Sequence, residues 1–283
     1  MSVKSPLWLS GGILLVASLA TVVSVATKIQ AQSSVSAHLT MGNPSEATSS
    51  DANNYLMVKP QYALSYNNGR CITNWVSWQL NSSWLGSAPR QDDFRSDPAL
   101  PSNFCKANTS DYTYSGFDRG HITPSADRTD TVANNSATFL MSNIVPQAPD
   151  NNQGYWARLE DYERTLVSQG KELYIIAGAY GTGGSGSNGA KNTIYNGKIT
   201  VPDRLYKIIV VVDPGSGVSG VNSSNRVIAI NTPNDQGNRT ANWGSYRTTV
   251  DAIEAATGYD FLSQVSSSIQ AEIESQVDTG PTQ

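Results

Sequence analysis

The order of apolar and polar positions along the chain predicts its elements. Residues 71–80 place Trp75, Val76 and Trp78 between polar residues, the pattern of a strand in an antiparallel sheet with both faces partly used. Residues 137–145 predict a second strand. Residues 173–179 and 205–212 are short β-branched apolar runs of the kind found in central strands, and 226–230 predict one more. Tyr155, Leu159, Tyr162 and Leu166 recur at helical spacing, with Gly170 as a stop signal. Val250, Ile253 and Ala256 before Gly258 predict another helix, and 269–277 a last one. Helices are few and unevenly placed among the strands. This argues against regular βα alternation and for an α+β domain, a central antiparallel sheet flanked by helices. No internal repeat is visible. The glycine-serine run 181–189 lacks the Gly-Lys-Ser/Thr ending of a phosphate loop and predicts a surface loop.

The N-terminal residues follow other rules. Within residues 1–26, Lys4 precedes an apolar run over 7–25, and Ser24-Val25-Ala26 offers the small residues of a cleavage site. Ile29-Gln30-Ala31 is a second candidate. The segment reads as a secretory signal; an uncleaved anchor competes, since the run is near the length of a bilayer span. Cleavage implies a secreted or periplasmic protein with no stable membrane association. Residues 27–53 are rich in Ser, Ala, Thr and Asn without periodicity and predict a flexible tether, with His38 solvated in it. Residues 54–283 remain as one folded domain.

Composition narrows the function. The 283 residues are 39% hydrophobic and 15% charged, enough for a packed core. Formal charge is −4, and −6 if Lys4 and Lys28 leave with the signal. An acidic chain does not grip nucleic acid by bulk attraction, because Lys and Arg dominate phosphate neutralisation. Activity on nucleic acid would have to rest on a local arginine cluster and a metal ion. The two cysteines, Cys71 and Cys105, invite a disulfide in an exported protein, with two buried thiols as the alternative.

After the predicted tether the chain holds one histidine, so imidazole chemistry must use His121 and multi-histidine metal sites are excluded. Phe117-Asp118-Arg119-Gly120-His121-Ile122-Thr123-Pro124 sets an acid, a cation, a permissive glycine and an imidazole in consecutive positions. Asp92, Asp93, Asp127 and Asp130 lack the pairing of a two-metal carboxylate nuclease and read as solvated charges.

The Asp-Arg-Gly-His run followed by Pro resembles the DNA/RNA non-specific endonucleases of the ββα-metal (His-Me finger) superfamily. Arg90 in Pro89-Arg90-Gln91-Asp92-Asp93-Phe94, Asn152 in Pro149-Asp150-Asn151-Asn152, and Glu160 and Arg164 in Leu159-Glu160-Asp161-Tyr162-Glu163-Arg164 match further family positions. The likeness spans about residues 55–262. It implies a ββα-metal fold and hydrolysis of single- and double-stranded DNA and RNA to 5′-phosphate products, with a polypeptide inhibitor as a partner known for some relatives. His121 would be the general base, its reference pKa of about 6.5 predicting activity that rises from acid to neutral pH. One Mg²⁺, with Mn²⁺ as a substitute, would bind Asn152 directly and Glu160 through water. Eight residues of helix rise roughly 12 Å, which places Asn152 before the helix or at its first turn; Asn151 is the neighbouring alternative. Arg90, Arg119 and Arg164 would offset transition-state charge. Arg164 could instead pair with Glu160 along the helix, Arg90 could be a surface-loop cation, and Asp118 could orient its strand end or a neighbouring arginine without touching substrate. Two rival functions are a narrower nucleotide phosphodiesterase and an inactive exported binding protein of the same fold.

Overall fold

The computed structural model describes residues 36–283, together with Met1 and Ser2. The signal and the first part of the predicted tether lie outside the described residues. In chain order the strands are β1 (Tyr55–Val58), β2 (Ala63–Asn67), β3 (Ile72–Leu80), β4 (Asp118–His121), β5 (Ile144–Gln147), β6 (Glu172–Tyr180), β7 (Gly184–Gly186), β8 (Gly189–Lys191), β9 (Thr193–Ile194), β10 (Ile199–Thr200), β11 (Arg204–Val212) and β12 (Val227–Pro233). The helices are α1 (Val132–Ala137), α2 (Ala157–Ser168), α3 (Val250–Thr257) and α4 (Ser267–Ile273). Six strands form one antiparallel sheet in the order β1-β2-β3-β6-β11-β12.

Strand periodicity divides the core. Leu173, Ile175, Ala177 and Ala179 of β6, with Leu205 and Ile209 of β11, face a cluster that includes Leu159 and Leu166 of α2. The alternate residues Tyr174, Ile176, Tyr206, Ile208 and Val210 face a second cluster with Val250, Ile253 and Ile273 of α3 and α4. Both faces are therefore buried, which is why β6 and β11 read as continuous apolar runs rather than alternating ones. Thr249 caps α3 by accepting from Ala252 N–H at 3.0 Å, and Gly258 ends it at φ 74°.

Three expectations change. Residues 36–53 are not a tether but part of the compact unit Val35–Gln283. His38 is 4% exposed, donating from Nε2 to Pro60 O (2.7 Å) and accepting the Gln79 N–H at Nδ1 (3.2 Å). The polar composition misled because these side chains close turns: Asn43 exchanges two 2.9 Å hydrogen bonds with Ala47, and Ser45 accepts from the Trp75 indole at 2.7 Å. The strand predicted over 137–145 is extended only from Ile144, because Thr138 and Asn143 turn the chain: Thr138 donates to Asn135 O and Asn143 Nδ2 donates to Thr138 O. The run 181–189 is no plain loop either; it builds β7 and leads into the β7–β8 hairpin.

Cys71 and Cys105 are joined as a disulfide across 34 positions, with Cα atoms 5.3 Å apart. Among the described residues no helix is long and apolar enough to cross a membrane.

Candidate active site

Strands β4 and β5 pair antiparallel, with Asp118 opposite Gln147 and His121 opposite Ile144. Gly120 is required there by space. The Gln147 side chain lies against its Cα, so an added Cβ would collide with Gln147 Oε1 and Cβ. After β5 the chain enters a π-helical turn, Asn151–Trp156, before α2 begins. Gly154 breaks that turn at φ −106°, ψ −117°, and the Arg239 carbonyl lies 2.6 Å from where a Cβ would stand. Asn152 thus precedes α2 and Glu160 sits in its first turn, as the helix-rise argument requires.

The two asparagines are distinguished by their hydrogen bonds. Asn151 is fully buried; its Oδ1 accepts from Gln147 Nε2 at 2.8 Å and its Nδ2 donates to Pro233 O at 2.7 Å. It is a structural residue. Asn152 is half-buried and donates from Nδ2 to Asp118 Oδ2 at 2.8 Å. Gln153 Nε2 donates to the same oxygen at 2.7 Å. Asp118 therefore fixes the Asn152 amide and decides which end stays available to a ligand.

His121 is 9% exposed and packed between two aromatic rings, Phe94 at 5.2 Å and Phe139 at 4.8 Å between centroids. The same rings carry the arginines, with Arg119 4.2 Å above Phe94 and Arg90 4.8 Å above Phe139. One aromatic frame thus spaces the imidazole and both guanidiniums. Burial, then Arg90 and Arg119, push His121 down to about 3. The imidazole is neutral across the physiological range, and the expectation of a titration near pH 6.5 is corrected. Its Nε2 is buried without a hydrogen-bond partner among the described residues.

A cavity of about 360 Å³ is lined by Arg90, Phe94, Asp118, Arg119 and Asn152. A larger recess of about 860 Å³ lies against residues 43–48 and 258–260, but no histidine, lysine or arginine lines it. The smaller cavity holds the chemistry. Arg90 is an exposed loop cation, but an anchored one: Nη1 donates to Ser125 Oγ at 2.8 Å and Nε pairs with Asp92 at 2.7 Å.

Two residues beyond Ser125 stands Asp127, which corrects another expectation. It is fully buried, not solvated, and accepts from Trp78 Nε1 at 3.0 Å and Arg164 Nη1 at 2.9 Å. The helix partner of Arg164 is Asp161 at 2.5 Å rather than Glu160. The short turn Ser125–Asp127 therefore holds Arg90 at one end and Arg164 at the other. Sequence reading missed this anchor, and it missed Phe94 and Phe139. It also missed Lys207, fully buried 3.0 Å from Glu163 and 3.9 Å from Glu160, with its ammonium 4.5 Å from the Trp156 ring centroid. The signal for Lys207 was present: a single lysine at a core-facing position of an otherwise apolar run.

Burial raises Glu160 to about 7 even though Lys207 and Arg164 lower it. It also raises Glu163, against the pull of Lys207. Glu160 and Glu163 supply carboxylate oxygens around Lys207. Asn152, on the cavity, has its Nδ2 committed to Asp118 and keeps its amide oxygen available. A hydrated divalent cation fits that donor set, which is oxygen-rich and free of thiolate and of multiple imidazoles.

The sequence pattern of the DNA/RNA non-specific endonucleases matches residues 41–268. The chain is 56% identical over 248 residues to a nuclease of Nostoc sp., covering 87% of each. It is 30% identical over 169 residues to human mitochondrial endonuclease G, covering 58% of this chain and 57% of that one. It spans about half of the mitochondrial nuclease EXOG of Xenopus laevis, at 34% identity over 175 residues. The fold is that of EndoG in the crystal structure of the EndoG/EndoGI complex, with TM-score 0.68 at 21% identity over 82% of this chain and 92% of that one. An α+β fold in which the separate β4–β5 pair precedes α2, and a family match over most of its length, identify the chain as a member of the DNA/RNA non-specific endonuclease family, a metal-dependent hydrolase.

Proposed function

We propose that the protein is an exported, Mg²⁺-dependent endonuclease that hydrolyses single- and double-stranded DNA and RNA to 5′-phosphate oligonucleotides. The observation that carries this is the placement of Asn152, fixed by Asp118, on one cavity with Arg90 and Arg119. Asn152 would hold the ion directly and Glu160 would accept from its waters; Mn²⁺ would serve in place of Mg²⁺. When bound, the ion would polarise the phosphate and stabilise the leaving 3′ oxygen.

The residues of the chain perform the rest. His121, neutral and held by Phe94 and Phe139, takes the proton from the attacking water. Arg90 and Arg119 meet phosphate oxygens with planar forks of donors as negative charge develops. Arg164, braced by Asp127, adds positive charge from α2. These contacts address phosphate, which carries no direct base information, so the enzyme lacks base selectivity. Export follows from the signal pattern of residues 1–26. A polypeptide inhibitor that covers the cleft is a further proposed partner, by analogy with the EndoG/EndoGI complex.

The test is digestion of supercoiled plasmid, single-stranded DNA and RNA with Mg²⁺ or with chelator, followed by end analysis. Early shortening of long chains, 5′-phosphate ends and complete arrest by chelator are expected. Release of mononucleotides alone from chain ends would replace this reading with the narrower phosphodiesterase.

A further inference from the structure

Helices α3 and α4 pack on the sheet face opposite α2, away from the nuclease cleft. There three carboxylates converge. Asp251 and Glu254 stand three residues apart on α3, and Glu274 follows the last residue of α4. One oxygen from each lies within 4.8 Å of the others. Asp251 N–H donates to Glu274 O at 3.1 Å, which fixes the start of α3 against the end of α4. Glu254 Oε1 accepts the Phe261 N–H at 2.7 Å.

The second observation is Glu274 itself. It is 7% exposed, and its buried Oε1 has no hydrogen-bond partner among the described residues. The charged side chains that act on it are the carboxylates of Glu254, Asp251 and Asp260, with no cation among them. A buried acceptor facing two more acids is costly unless positive charge joins it.

We propose that Asp251, Glu254 and Glu274 form a divalent cation site of the calcium type that ties α3 to α4. Calcium takes oxygen ligands at about 2.3–2.6 Å, so oxygens on one ion stand up to roughly 5 Å apart, and the cluster falls within that limit. Calcium also accepts the irregular geometry of carboxylates from two helices, whereas magnesium demands a near-ideal octahedron. Asp251 is exposed and Glu254 half-buried, which leaves room for water to complete the shell. The role is structural: the ion relieves repulsion at the junction of the two helices.

The test is thermal unfolding of the full chain at pH 7.5, freed of metal by chelator and then titrated with calcium chloride. Calcium is expected to raise Tm by about 3 °C or more. The shift persists in Asn152→Ala, which separates it from the nuclease site, and disappears in Glu274→Gln and in the exposed variant Asp251→Asn. No calcium response in the unaltered chain overturns the proposal, as does an equal response in both carboxylate variants. If Glu274→Gln fails to fold, Asp251→Asn decides alone.

Discussion

Replacing Asp118 with Ala probes how Asn152, the proposed metal ligand, is held. Asp118 Oδ2 accepts from Asn152 Nδ2 at 2.8 Å and from Gln153 Nε2 at 2.7 Å. Both are hydrogen bonds to a charged acceptor, worth about 1.5–3 kcal/mol each when buried. Asn152 is half-buried and Gln153 exposed, so the lower end of that range applies to the first and less to the second. Loss of roughly 1.4–2.8 kcal/mol of ligand orientation corresponds to a 10–100-fold rise in the Mg²⁺ concentration for half-maximal rate, the usual cost of removing a residue that orients a metal ligand. Initial rates of plasmid nicking against Mg²⁺ concentration measure it. The rate at saturating Mg²⁺ should recover to within about threefold, because Asp118 acts through Asn152, and Asp118→Asn should fall between the two. An unchanged Mg²⁺ midpoint in Asp118→Ala, with a depressed maximal rate, would refute the positioning role and place Asp118 on the substrate.

Other expectations follow from the same geometry. Lys207→Met strands the buried Glu163 carboxylate and should cost about 3–5 kcal/mol in urea unfolding. The double variant Lys207→Met/Glu163→Gln should recover most of that loss, and a single-variant loss below about 1 kcal/mol would contradict the ion-pair account. Gly120→Ala drives a Cβ into Gln147 and should cost about 1–3 kcal/mol while displacing His121; unaltered melting and activity would show that β4 and β5 can separate freely. His121 works unprotonated and its value is lowered to about 3, so the active form persists down to that pH. In a Glu160→Gln background, which removes the carboxylate raised to about 7, the acid limb of kcat/KM, which reports the free enzyme, should therefore lie near pH 3 and leave pH 5–8 flat. The limb of kcat should lie higher, since bound phosphate offsets Arg90 and Arg119. A kcat/KM limb at pH 6–7 in that background would show a solvated imidazole.

Some of this was legible because the signal was local. The long strands β3, β6 and β11 and helices α2 and α3 carry their period in consecutive residues, and Gly258 marks a true left-handed stop. Asn152, Arg90 and Arg119 fall into one cavity, with His121 packed on Phe94 of its wall, because each sits in a short motif of fixed spacing. What the chain concealed depends on distant partners. His38 is buried by Pro60 and Gln79, and nothing in the polar composition of residues 36–53 announces that packing. Asp127 looked like any loop carboxylate until Trp78 and Arg164 closed over it. Phe94 stood inside a quoted motif, yet its service as a shelf for both His121 and Arg119 needs the fold to bring them together. The low value of His121 likewise arises from burial and two cations placed by other elements.

The account turns on His121 as the base beside a metal held by Asn152. The most direct measurement is the rate of plasmid cleavage by His121→Ala at saturating Mg²⁺, with the fold checked by circular dichroism and the melting temperature. The account predicts a normally folded protein with at least a 100-fold loss of rate that added Mg²⁺ does not restore. Near-wild-type cutting by that folded variant would contradict it.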